Sequence, residues 1–266
     1  MAHSFQQWPI VRIRHGETMH IPDFLSVEEP LQIEVAGRPL SITMRTPGDD
    51  VALAIGFLFT EGLISSMDQV ADVIQKEENT VNILPAPGTQ IQPDKVDRNF
   101  YATSSCGVCG KSSVASIAAT SMYVPPAGKM SVHWPVFAGL QDQLASVQKT
   151  FELTGGLHAS ALFDGNGDYL YHSEDVGRHN ALDKLIGHAL MAGRLPLWQH
   201  ILLLSGRASF ELIQKASMAG VPVIAAVGAP STLAVRLAEE NHLTLIGFLK
   251  KSGGNIYTHP ERVHMP

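Results

Sequence analysis

From residue 157 to residue 258 the chain repeats one alternation of short apolar runs, polar glycine-containing loops and stretches with helical spacing. Strand 157–163 turns through Asp164-Gly165-Asn166-Gly167 into strand 169–172, and a helix is predicted over 178–192, stopped at Gly193. Strand 201–204, helix 210–219, strand 221–226, helix 232–240 and strand 243–248 follow, with a last short strand at 256–258. Strands separated by helices of this length do not join as tight hairpins. The expected architecture is therefore a three-layer α/β domain with a largely parallel sheet.

The earlier part of the chain reads differently. Leu31, Ile33 and Val35 alternate with polar residues, Gly37-Arg38-Pro39 turns the chain, and Leu40, Ile42 and Met44 alternate again, which predicts a hairpin. Pro47-Gly48-Asp49-Asp50 offers a cap for an apolar helix over 51–60 that Gly62 can end, and a second hairpin is predicted over 71–84. Val124-Pro125-Pro126-Ala127-Gly128 is the best boundary signal. The division expected is a smaller β-rich α+β region at 1–124, ending in a cysteine loop and a following helix, and the α/β domain at 125–266. Phe137, Leu140, Leu144, Val147 and Phe151 fall on one face of a single predicted helix.

Composition narrows the function classes. With 266 residues and 45% hydrophobic content the chain can bury a sizeable core, and intrinsic disorder is excluded. A net charge of −6 argues against non-specific nucleic-acid binding, and only 17% charged residues suits a chain that hides surface in a homodimer. No apolar run approaches the roughly 18–20 residues of a membrane helix, and the first residues lack a signal-peptide core, so a cytoplasmic location is expected. Two cysteines exclude a disulfide-stapled scaffold; in a reducing compartment they read as reactive or metal-binding.

Those two, Cys106 and Cys109, lie in Thr103-Ser104-Ser105-Cys106-Gly107-Val108-Cys109-Gly110-Lys111. A sulfur nucleophile acts as the thiolate. Flanking glycines that expose backbone N–H groups, a helix start and Lys111 all favour that anion. The neighbouring thiol could resolve a persulfide or pass sulfur on. A structural zinc site would need ligands beyond one CxxC, and a thioredoxin-like pair would want a βαβ setting. A phosphate-binding P-loop fails because its first glycine falls at Ser105.

A second concentration of chemistry follows the α/β strands: Ser173 to Asn180, Ser205 to Ser209, Val227 to Thr232 and Leu249 to Gly254. In open α/β sheets ligands bind beyond the strand carboxyl ends, with anions at helix N-termini. Arg178, Arg207, Lys250 and Lys251 therefore suggest a pocket for a large anionic, phosphate-bearing ligand. Asp175, His179 and Asp183 could form a metal site, although helix capping by the acids is favoured. His158 lacks the glutamate two residues later that a zinc deaminase requires, since position 160 is Ser.

Six ordered blocks resemble the formate dehydrogenase accessory sulfurtransferases, the FdhD family: TSSCGVCGK (103–111), HASALFD (158–164), EDVGRHNALDKLIG (174–187), SGRASFELIQKA (205–216), VGAPSTLAV (227–235) and LIGFLKKSGGNIYTH (245–259). The resemblance implies a cysteine-persulfide sulfurtransferase. It would take sulfur from a cysteine desulfurase and pass it to the molybdenum (or tungsten) bis-guanine-dinucleotide cofactor before insertion into formate dehydrogenase. It further implies Cys106 as the carrier, Cys109 as a second thiol, and cofactor contacts at Phe248, Leu249, Lys250, Lys251, Ser252 and Gly253. It also implies a cytidine-deaminase-like α/β domain without the deaminase zinc signature, a homodimer, and no resident metal. Two rival readings remain: a non-enzymatic chaperone that binds and delivers the cofactor, and a zinc-dependent hydrolase on a deaminase-like fold.

Overall fold

The computed structural model describes residues 4–91, 123–126 and 128–265. The chain begins with an antiparallel ribbon of β1 (Phe5–Arg14) and β2 (Glu17–Ser26), for which the sequence carries no clean strand signal. The two predicted hairpins follow as β3 (Glu29–Val35) with β4 (Arg38–Arg45), and β5 (Val70–Glu77) with β6 (Thr80–Pro85). They merge into one sheet, ordered β4-β3-β6-β5, through a parallel β3–β6 pair.

Between the hairpins runs α1 (Asp50–Thr60), with the predicted bounds to within a residue. Its start is held differently from the expected cap. Asp49 has left-handed φ (55°) and its side chain makes no cap bond, while Asp50 accepts two bonds from Arg45, at 2.8 and 2.9 Å. Arg45 is fully buried and also donates to Asn79 Oδ1 at 2.8 Å. This planar bidentate pair ties the end of β4 to both the helix and the second hairpin.

The second half is built on a six-stranded sheet, with β8 (His158–Asp164), β9 (Tyr169–Asp175), β10 (His200–Leu204), β11 (Val223–Ala226), β12 (Thr244–Lys250) and β13 (Gly253–Thr258) in the order β13-β12-β11-β10-β8-β9. It is parallel only at its centre, β10–β11–β12, and antiparallel at both margins. The sheet is therefore mixed rather than largely parallel. The short turns joining β8 to β9 and β12 to β13 allow only antiparallel pairing. A two-residue parallel pair of β7 (Val132–His133) and β14 (Val263–His264) lies apart.

Helices α4 (Arg178–Met191), α5 (Phe210–Met218) and α6 (Thr232–Glu240) cover one face of this sheet. There Leu182, Leu185, Leu202, Leu204, Leu212 and Leu245 share a core with Leu31, Ile33, Leu53, Leu58, Val81 and Ile83 of the first half. The opposite face packs Phe137, Leu140 and Leu144 on Ala161, Leu203, Ala225 and Leu249. The single helix predicted through 137–151 is instead a 3₁₀ turn (Trp134–Gly139), α2 (Leu140–Val147) and α3 (Lys149–Thr154). The break falls at buried Gln148, whose amide donates to Glu174 at 3.2 Å, and Phe151 is left exposed.

α1 crosses α4 at Gly56 and Gly187. A Cβ on Gly56 would overlap the Asp183 carbonyl, and one on Gly187 the Ala52 carbonyl, so only glycine permits this approach. Beside the crossing, Lys215 Nζ donates to Asp183 Oδ2 and to Thr60 Oγ1, both at 2.9 Å, and Thr60 donates to Asp183 Oδ1 at 2.8 Å. Lys184 pairs with fully buried Asp175 at 2.7 Å. Buried charges are satisfied in pairs, as their desolvation requires.

Candidate functional site: a polar crest on the sheet

β9, β10, β11 and β12 run the same way, and β8 and β13 run against them. The carboxyl ends of those four strands therefore share one edge with the starts of β8 and β13. The sequence-derived gathering of strand-end loops is realised in space.

Successive loops are stitched backbone to backbone along this edge. Ser205 N–H donates to Ala159 O at 3.0 Å, while Ser205 Oγ accepts from Ala159 N–H at 2.8 Å. Gly228 N–H donates to Gly206 O at 2.9 Å, and Phe248 N–H to Gly228 O at 3.1 Å. Gly228 must be small here, because a Cβ would lie 2.9–3.0 Å from Arg207. The result is a continuous crest at which α4, α5 and α6 begin.

His158 stands opposite Asp175 in the β8–β9 register and against Gly206. Burial, and then the Arg178 guanidinium, pull its imidazole below the ordinary value, which keeps it neutral near pH 7. His179, in the first turn of α4, faces Glu211 at 3.8 Å and Ser209 Oγ at 3.5 Å. Burial works against the Glu211 carboxylate, but hydrogen bonds from His179, its own N–H and Ser209 leave it more acidic than usual. Glu211 has no local sequence signal beyond an acid in a helix's first turn. Arg207 is exposed and Arg178 half-buried.

The residues 248–253 divide between settings. Phe248 is on the crest, 45% exposed, with left-handed φ of 52°. Leu249 turns inward, its side chain in the core and its carbonyl accepting from Gln141. Lys250, Lys251 and Ser252 are exposed at the β12–β13 turn, where Lys251 pairs with Asp142 at 3.1 Å between two well-exposed side chains. Gly253 begins β13 at φ 153°. The structure does not draw Asp175, His179 and Asp183 together, since each is engaged with a different partner. Among the described residues no group of three or more His, Cys, Asp or Glu could hold a metal ion. Cys106, Cys109 and Lys111 lie outside the described residues.

The FdhD/NarQ family model matches residues 26–264. The chain belongs to the FdhD/NarQ family. Family relatives align over nearly their whole length. A protein named sulfur carrier protein FdhD from Streptomyces avermitilis is 47% identical over 99% of this chain and 97% of its own. Proteins of the same name are 45% identical in Mycobacterium tuberculosis, over 95% and 97%, and 39% identical in Saccharolobus solfataricus, over 99% and 100%. A crystal structure from Desulfotalea psychrophila, of a protein proposed to be a formate dehydrogenase accessory protein, matches with a TM-score of 0.78 and 21% identity, covering 98% and 100%. That likeness shows the mixed α/β fold with its several sheets. No helix among the described residues is long and apolar enough to cross a membrane.

Proposed function

We propose that this chain is a sulfurtransferase that supports formate dehydrogenase maturation, carrying sulfur as a persulfide on Cys106. The carrying observation is full-length family membership with relatives named as sulfur carriers, in a chain whose only two cysteines form one CxxC. Attack of the Cys106 thiolate on the outer sulfur of a cysteine desulfurase persulfide moves that sulfur and releases the desulfurase thiolate. Attack of Cys109 on Cys106 Sγ then breaks the new S–S bond. It forms the Cys106–Cys109 disulfide and releases the outer sulfur as sulfide, so two thiols are oxidised as one sulfane sulfur is reduced.

The sulfur acceptor in this reading is the molybdenum bis-guanine-dinucleotide cofactor, bound as substrate along the crest. Three helix starts, Arg178, Arg207 and the exposed Lys250 and Lys251 suit its phosphates, and exposed Phe248 offers a ring for base stacking. The α/β half is read as cytidine-deaminase-like, and the protein as a cytoplasmic homodimer that meets a cysteine desulfurase and formate dehydrogenase.

Incubation with a cysteine desulfurase and cysteine, followed by mass spectrometry, is expected to add one sulfur mass to the Cys106 peptide. Sulfur loading of Cys106→Ala, together with intact formate dehydrogenase activation, would overturn the assignment. The crest also supports a second reading, a chaperone that delivers the cofactor without carrying sulfur. It requires Cys106→Ala to preserve maturation while Lys250→Glu with Lys251→Glu abolishes cofactor binding.

A further inference from the structure

Between the end of β4 and the start of α1, residues 43–49 lie along α4 and meet it at intervals of one helical turn. Thr43 Oγ1 donates to Asn180 Oδ1 at 3.1 Å, and Asn180 Nδ2 donates to Met44 O at 2.7 Å. Lys184 Nζ donates to Thr46 O at 2.8 Å, and His188 meets Asp49 at 3.3 Å. Positions four apart share one side of a helix, so residues 180, 184 and 188 form a single polar seam. A seam of this kind fixes how far α4 slides along its axis and turns about it.

Thr46 is the centre of the seam. It follows the last β3–β4 rung, Glu29↔Arg45, so the sheet ladder does not use its backbone groups. Pro47 comes next and biases Thr46 toward an extended backbone. All three of its polar groups turn to the second half of the chain. Its N–H donates to Asp175 Oδ2 at 3.1 Å, its Oγ1 accepts from Val176 N–H at 3.2 Å, and its carbonyl takes the Lys184 bond. Asp175 in turn accepts from Gly177 N–H at 2.8 Å and from Asn180 Nδ2 at 3.1 Å. Each residue of the loop 175–177 is therefore bonded to Thr46 or to its acceptor Asp175. Both of those residues are buried, so water does not replace a lost bond without cost. Arg178 and His179 follow at once, in the first turn of α4.

We propose that Thr46 is a positioning residue for the crest, holding the start of α4 so that Arg178 and His179 meet a ligand in one geometry. This rests on the reading of the crest as a guanine-nucleotide site. Thr46 acts through Val176 and Asp175, and a site whose groups are already fixed loses less freedom on binding. The two ends of the seam differ in what they hold. Thr46 grips the loop that enters α4 at the crest, whereas Asp49 grips His188 in the last turn, where both side chains are well exposed. A seam that served stability alone would give neither end an effect on the ligand.

Calorimetric titration of the full chain with GDP tests the proposal. Thr46→Val keeps the branched shape and both backbone groups, and removes only the hydroxyl that accepts from Val176. It is expected to weaken GDP binding roughly tenfold with unchanged circular dichroism. Thr46→Ser restores the hydroxyl and is expected to bind close to the wild type, as is Asp49→Ala at the far end. Hydrogen exchange on the wild type supplies a readout without substitution: saturating GDP is expected to slow exchange of the Thr46 and Val176 amides together. A wild type that binds no GDP overturns the crest reading and this inference with it. Where the wild type binds, unchanged affinity in Thr46→Val overturns the inference alone. So does a Thr46→Ser variant as weak as Thr46→Val, an equal loss in Asp49→Ala, or a Thr46 amide indifferent to GDP.

Discussion

Where α1 crosses α4, Gly56 and Gly187 let two backbones touch, and the nearby charges are closed into pairs: Asp183 with Lys215 and Thr60, Asp175 with Lys184. Along the crest, Gly206 and Gly228 also hold loops together, but the groups around them face outward: exposed Arg207, exposed Phe248 and half-buried His158. The same residue type serves closure in one place and access in the other. At the crossing, polar groups spend their hydrogen-bonding capacity inside the fold, so their removal should register as lost stability. At the crest they retain capacity for a ligand, so their removal should register in binding and titration with little change in stability.

The contrast gives a ranked series of outcomes. The largest effect is expected for Gly56→Leu, which forces α1 off α4 and should cost about 4 kcal/mol or more in urea unfolding. Because the shared core joins both halves, circular dichroism and tryptophan fluorescence should lose amplitude in one coincident transition. Two separated transitions would break the picture of a common core.

Next comes Lys215→Met, which leaves Asp183 charged and enclosed and should cost about 3–5 kcal/mol. Adding Asp183→Leu removes the orphaned charge and should recover most of that loss. An equal cost for the single and double variants would mean that packing, not charge, governs the site.

A smaller effect is expected at His158, whose folded-state pKa lies below the unfolded value, first because of burial and then because of Arg178. Between those two values the unfolded chain binds more protons, so stability from neutral His158 is complete above the ordinary imidazole value. It is lost as pH falls through the window. His158→Gln should therefore make the acid limb of a stability–pH profile shallower, and nuclear magnetic resonance titration should find the His158 ring taking up its proton below the ordinary imidazole value. A ring that titrates at or above that value would place it outside the buried crest.

The smallest change in stability is expected for Lys251→Ala, because its pair with Asp142 is exposed on both sides and worth roughly 0–1 kcal/mol. The same variant should weaken binding of GDP, measured by calorimetry. A large loss of stability with unchanged nucleotide binding would put Lys251 on the structural side of the comparison.

Local patterns were readable wherever local chemistry decided the outcome. Helix Thr232–Glu240 follows the sequence to the residue, its Ser231 cap accepting from Ala234 N–H at 3.2 Å, and the crest was legible because β9 to β12 each run into a glycine-containing loop, the first three leading to a helix start. Long-range contacts were not readable. Asp183, Thr60 and Lys215 come from three helices, and Gln148 breaks its helix for a bond to Glu174. The ribbon escaped notice because its apolar residues occupy both faces, which removes the period-two signal. Leu249 sits inside rather than on the crest because Phe248, in left-handed φ, interrupts the alternation and returns Leu249 to the face of Ile246.

The central claim is that the crest receives a guanine-dinucleotide substrate for sulfur transfer. A crystal structure of the full chain with GDP tests this most directly. The account predicts phosphates at the starts of α4 to α6, beside Arg178 and Arg207, with the base near Phe248. Phosphates bound at the opposite edge of the sheet, with the crest unoccupied, would contradict it.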